Sequence, residues 1–122
     1  MHIQKTDDNT SISFFKEKIK EFINERRWSE FQTPKNLIQA LQIEAAELSE
    51  LFLFKDFSKE EILEDEKLYS DIRDEISDVF IYLISLINSI GLDLTQSFLV
   101  KMEKNSTKYP KELFKDGTYH KR

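Results

Sequence analysis

Apolar positions along this chain recur mainly three, four and seven residues apart, the spacing of one face of an α-helix. Phe14, Phe15, Lys18, Ile19, Phe22 and Ile23 form the first such stripe, which starts near Ser11 or Ser13 and fades by Trp28. Thr33 followed by Pro34 is an N-cap and first-turn pair, and it opens a second helix expected to run to about Phe54. Leu37, Leu41, Leu48 and Leu51 mark the stripe of that helix. Lys55 to Glu66 is a polar connector in which Ser58-Lys59-Glu60-Glu61 fits a capping box and predicts a short helical turn over the mouth of a site. A third long helix is expected from about Asp65 to Ile90, stopped by Gly91. Asp93 with Gln96 three residues on opens a fourth, which reaches Lys108 before Tyr109-Pro110 ends it.

The chain has only 2 glycines, and no stretch alternates with a period of two for long enough to build a sheet. The fold expected is therefore all-α, a four-helix bundle protomer. Its domain spans residues 11–110, preceded by a loose polar lead at 1–10 and followed by an irregular tail at 111–122. The segment VFIYLISLI in the third helix is apolar on every side, which suits a helix enclosed by its own bundle and by a partner subunit. A homodimer or homotetramer is expected over a monomeric bundle.

Composition narrows the function. With 122 residues, 39% hydrophobic residues and 10 Phe, the chain can bury a core as one domain, although 34% of it is charged. The formal net charge of −5 argues against nucleic acid or a membrane surface as partner, and any anionic ligand would need a local basic patch or a metal. There is no cysteine, which removes disulfides, thiolate metal sites and cysteine nucleophiles. The leading residues lack an apolar signal core and VFIYLISLI is too short to span a bilayer, so a cytoplasmic location is expected.

The candidate chemistry lies in acids set against apolar stripes. Glu44 sits where the leucine seam of the second helix should continue, and Glu47 one turn on flanks the same face. Burying ionised carboxylates without partners is costly, so they need a cation, a proton or a watery cleft. Glu75 and Asp78 repeat the i, i+3 spacing on the third helix. Two consecutive antiparallel helices can turn these pairs toward each other, and such a cluster repels itself unless a divalent cation occupies it. Oxygen-only ligands select a hard cation, magnesium first, with manganese as substitute. A di-iron bundle would want Glu-x-x-His pairs, and the only histidines, His2 and His120, are terminal. The competing reading of Glu-x-x-Glu is an ordinary solvated helix face, and Glu50, Asp71 and Asp74 are read in that way.

On the fourth helix Lys101, Asn105 and Lys108 share a polar face that ends at Tyr109 and could hold phosphate oxygens, although spacing alone favours an ordinary solvated stripe. Trp28, Phe31, Phe54 and Tyr82 read by themselves as core aromatics.

The order RRWSEFQTPKNL, EAAEL, ELFLFK, EISDVFIYL and KMEKNSTKYP resembles the MazG-like all-α nucleoside triphosphate pyrophosphohydrolases, in particular the short dCTP pyrophosphatase-like branch, over about residues 14 to 110. The resemblance implies a protomer that assembles as a dimer or dimer of dimers and cleaves a nucleotide between its α and β phosphates. It implies magnesium at Glu44, Glu47, Glu75 and Asp78, phosphate or sugar contacts at Lys101, Asn105 and Tyr109, and a nucleoside pocket at Trp28, Phe54 and Tyr82. Lys108 would add positive charge, and Glu47 is the residue expected to orient or deprotonate the attacking water. Two departures bear on base preference: Phe54 where dCTP-preferring relatives have Trp, and Gln32 where they have His. The alternatives are a non-catalytic oligomeric helical module with solvated acids, and an enzyme of the phosphoribosyl-ATP pyrophosphohydrolase branch.

Overall fold

A computed structural model describes residues 4–121, and no β-strand occurs among them. The all-α expectation holds, with four long helices and one short one. The chain divides into two compact units, Met1–Gly91 and Leu92–Arg122.

In the first unit, α1 spans Ile12–Glu25 and begins where the Ser11 hydroxyl accepts the Phe14 N–H at 3.3 Å. The helix ends through Arg27, whose φ of 56° is left-handed, an uncommon conformation for a residue with a Cβ. That reversal lets the Trp28 N–H reach back to the Ile23 carbonyl at 3.1 Å and sets Trp28 beside Phe22, ring centroids 5.9 Å apart. A 3₁₀ turn at Ser29–Phe31 follows. Helix α2, Pro34–Glu50, starts as its sequence predicts: Thr33 accepts the Asn36 N–H at 3.3 Å and Pro34 fills the first turn.

The far end of α2 differs from expectation, stopping at Glu50 and not continuing to Phe54. The N–H groups of Phe52, Leu53 and Lys55 bond three residues back, to Ser49, Glu50 and Phe52, so the chain tightens into turns. Phe54 then takes a left-handed φ of 56°. The turn brings the Phe52 ring edge-on to Phe57 at 5.6 Å, a contact that a straight helix would carry away from the connector. Within that connector the capping box at Ser58 and Glu61 forms as expected and starts the short α3, Lys59–Glu64.

Helix α4, Glu66–Ile90, is the axis of this unit. Asp65 caps it by accepting the Leu68 N–H at 3.0 Å, and Gly91 closes it at φ 72°, where any other residue would be strained. Helices α1, α2 and α3 all pack on α4, α2 most extensively. Ile84 and Ile87 of α4 and Leu37 of α2 are the buried hydrophobic residues among those described. Ser85 is buried with them and its hydroxyl donates to the Ile81 carbonyl at 2.8 Å, so no polar orphan results. The Phe15 ring meets Phe80 edge-on at 5.1 Å, and the Asn88 side-chain amide donates to the Lys16 carbonyl at 3.2 Å, joining α1 to α4.

The second unit is built on α5, Leu94–Lys108, opened as predicted by Asp93, which accepts the Gln96 N–H at 2.8 Å. The tail, expected to be irregular, carries a 3₁₀ turn at Lys111–Leu113. Phe114 accounts for this local order, lying 5.9 Å from the Tyr109 ring and stacking on His120 at 4.6 Å. His2 lies outside the described residues.

Candidate functional site

The i, i+3 pairs of α2 and α4 do converge. One carboxylate oxygen from each of Glu44, Glu75 and Asp78 lies within 4.8 Å of the others, and all three residues are half-buried. Glu47 stands beside them within side-chain hydrogen-bonding reach of both Glu44 and Glu75, but it is exposed. Helix periodicity explains the difference, because one turn beyond Glu44 the face rotates toward solvent.

This gathering of like charge is expensive when bare. Burial, followed by the facing carboxylates of Glu47, Glu75 and Asp78, pushes the Glu44 carboxyl up to about 7. Burial also raises Glu75, helped by Glu47 and Asp78, while its contact with Glu44 pulls the other way. One oxygen of Glu44 and one of Glu75 are buried with no hydrogen-bond donor in reach. Carboxylate oxygens in that state need a proton or a cation, and an all-oxygen donor set of this size fits a hard divalent ion. The neighbouring acids have other engagements: Asp71 pairs with Lys67 at 2.7 Å, Asp74 with Arg73 at 3.5 Å, and Glu50 is exposed.

Beside the acids opens a cleft of about 390 Å³. Its walls are Ile19, Phe22 and Trp28 on one side and Ile81 and Tyr82 on the other, with Glu44 and Asp78 among the lining residues. Gln32 borders this cleft and two smaller neighbours, and its carbonyl accepts the Ser89 hydroxyl at 2.9 Å. Trp28 and Tyr82, which read by themselves as core aromatics and which the resemblance assigned to a nucleoside pocket, are among the residues lining this cleft, and Trp28 remains 46% exposed. Phe54 is different: it is 98% exposed and is not among the residues lining this cleft. Phe22 and Ile81 were not foreseen, since nothing in an apolar stripe separates a residue facing a cavity from one facing a helix.

In the second unit Lys101, Asn105 and Lys108 share a face of α5, with the lysines exposed and Asn105 half-buried. The Tyr109 N–H donates to the Asn105 carbonyl at 2.7 Å, and the Lys108 ammonium lies 5.6 Å from the Tyr109 ring centroid.

Residues 40–117, well over half of the chain, match the profile of the MazG-like family. The chain belongs to the MazG-like family. The matched stretch holds all four clustered acids and the α5 face, while Trp28 precedes it. Among curated proteins, this MazG-like chain is similar to dCTP pyrophosphatase 1 of Mus musculus, 39% identical over 94 residues that make up 76% of this chain and 55% of that protein. The Homo sapiens dCTP pyrophosphatase 1 is 36% identical over 99 residues, 80% of this chain and 58% of that one. The chain thus spans little more than half the length of these curated relatives. Among solved structures it is similar to a pyrophosphatase from Archaeoglobus fulgidus, at 34% identity and a TM-score of 0.73 over 90% of this chain and 98% of that one. No single helix is long and apolar enough to cross a membrane among the described residues.

Proposed function

We propose that this MazG-like chain is a magnesium-dependent nucleoside triphosphate pyrophosphohydrolase, converting a (d)NTP to the monophosphate and pyrophosphate, with manganese as a substitute ion and a pyrimidine deoxynucleotide such as dCTP favoured. The observation that carries the reading is the pair of donorless buried oxygens on Glu44 and Glu75 beside an aromatic-walled cleft. The names of the similar proteins, dCTP pyrophosphatase 1 and pyrophosphatase, support the bond and the substrate class.

Glu44, Glu75 and Asp78, with Glu47 beside them, would hold the ion. When bound it supplies positive charge against the phosphate oxygens and the departing pyrophosphate. Trp28 and Tyr82 offer flat surfaces to the base across the cleft, and the Gln32 amide offers both a donor and an acceptor to a base edge. Lys101, Asn105, Lys108 and Tyr109 are assigned to the phosphates and sugar. Phe54, exposed on a left-handed backbone, is assigned to the nucleoside pocket through a second copy of the chain, since a strained and unpacked aromatic is poorly explained by its own fold.

Glu47 is the member of the cluster open to solvent, so it is assigned to orient, and take a proton from, the water that attacks the α phosphorus in line. Glu47→Gln keeps the size of the side chain and removes the base. Its turnover is expected to fall by about 100-fold or more with an unchanged circular dichroism spectrum. Wild-type turnover in that variant would remove Glu47 from the role. Calorimetric titration with magnesium tests the wider reading, and no uptake with or without nucleotide would leave only the non-catalytic module.

A further inference from the structure

Lys18 is the charged member of the otherwise apolar stripe of α1, and the roles assigned above do not use it. It is also the one lysine or arginine among the residues lining the acid-bearing cleft. The stripe explains how it gets there. Lys18 and Phe22 lie one turn apart on α1, and both line the cleft that contains Glu44 and Asp78. Lys20 and Asn24 occupy the opposite flank of the same helix and line a different cleft, of about 280 Å³, with Asn88 and Ser89. Of these two lysines, it is Lys18 that lines the cleft containing Glu44 and Asp78.

The ammonium of Lys18 is held only by weak contacts within its own helix. Its ion pair with Glu21 is 3.7 Å long with both side chains more than half exposed, and its distance to the Phe14 ring centroid is 5.9 Å. Contacts of that kind hold a lysine weakly. A triphosphate entering a cleft with carboxylates in its wall, on a chain of net charge −5, meets repulsion that a single ion does not remove everywhere. A flexible ammonium at the rim offsets it where the phosphate chain extends beyond the acids.

We propose that Lys18 is a substrate-binding residue that donates to the phosphate oxygens of a nucleoside triphosphate held in this cleft. The inference rests on the function proposed above and adds a binding residue to that site. Lys18 would act on substrate affinity and leave the reacting bond to the acids.

The test compares Lys18→Met, Lys18→Arg and Lys20→Met in the full chain with magnesium and each of the four canonical deoxynucleoside triphosphates, following pyrophosphate release. Lys18→Met is expected to raise KM about tenfold, the scale of one charge-assisted contact, with kcat within about twofold of wild type. Lys18→Arg should recover most of the loss, and Lys20→Met should resemble wild type. An unchanged KM in Lys18→Met, or an equal rise in Lys20→Met, overturns the assignment. If wild type releases no pyrophosphate, the proposed function fails separately, and the fluorescence of Trp28 then reads Lys18 directly, because it is the single tryptophan and it lines the cleft. A triphosphate-dependent change in wild type that weakens about tenfold in Lys18→Met and returns in Lys18→Arg supports the role. A response equal in wild type and Lys18→Met, or no response in wild type, overturns it.

Discussion

Glu44 keeps its proton to about pH 7, whereas an ordinary glutamate releases it near 4.5. Between those two values the folded chain holds a proton that the unfolded chain has lost, so stability without metal must fall as pH rises through the window. Below it both states are protonated, and above it the full penalty of the bare charge is present. Thermal scans in a chelator should show the melting temperature dropping from pH 5 to 7.5, and Glu44→Gln should flatten that slope. Saturating magnesium should raise the melting temperature more at pH 7.5 than at pH 5, because the ion competes with the proton. A slope identical in wild type and variant would contradict this account of Glu44. The acids were legible in the sequence because a carboxylate in a leucine seam violates the helix pattern, and a second violation at Glu75 and Asp78 gave it a partner. Lys18 was present in the pattern too, but a single long cation beside apolar residues has an ordinary reading, since its stem packs and its ammonium reaches water. Only the neighbouring helix shows which flank it occupies.

At the scale of elements, starts were more legible than stops. Ser11, Thr33, Ser58, Asp65 and Asp93 each accept a backbone N–H three residues on, and each has a side chain suited to that bond. Gly91 ended α4 as read, because glycine alone enters the left-handed region freely. The end of α2 was hidden, since Leu51 to Phe54 contains no breaker and the turn depends on Phe52 meeting Phe57. That turn leaves Leu53 and Phe54 exposed, along with Ile43 on α2 and Ile76 and Ile81 on α4. Helix faces so rich in exposed apolar residues favour self-association. Sedimentation equilibrium at micromolar concentration is expected to give a mass two or four times 14.6 kDa. A mass of one chain would contradict the homo-oligomer and remove the second copy that the assignment of Phe54 requires.

At the scale of the molecule, the acid cluster and its cleft are built within the first unit, by α1 and α2 packed on α4 and the turn that carries Trp28 and Gln32. The residues of α5 belong to the second unit and were legible only as a polar face, since a lysine stripe looks the same whether it meets phosphate or water. Base preference was not legible, because it is set by the shape of a pocket and the hydrogen bonds to a base edge, neither of which a single substituted position such as Phe54 or Gln32 reveals. The central claim, that this chain cleaves a nucleoside triphosphate between the α and β phosphates, is most directly tested by identifying the products. The chain incubated with magnesium and a panel of canonical and modified triphosphates, dCTP included, should yield equal amounts of nucleoside monophosphate and pyrophosphate, and none in chelator. Release of inorganic phosphate with a nucleoside diphosphate, or no turnover of any triphosphate, would contradict it.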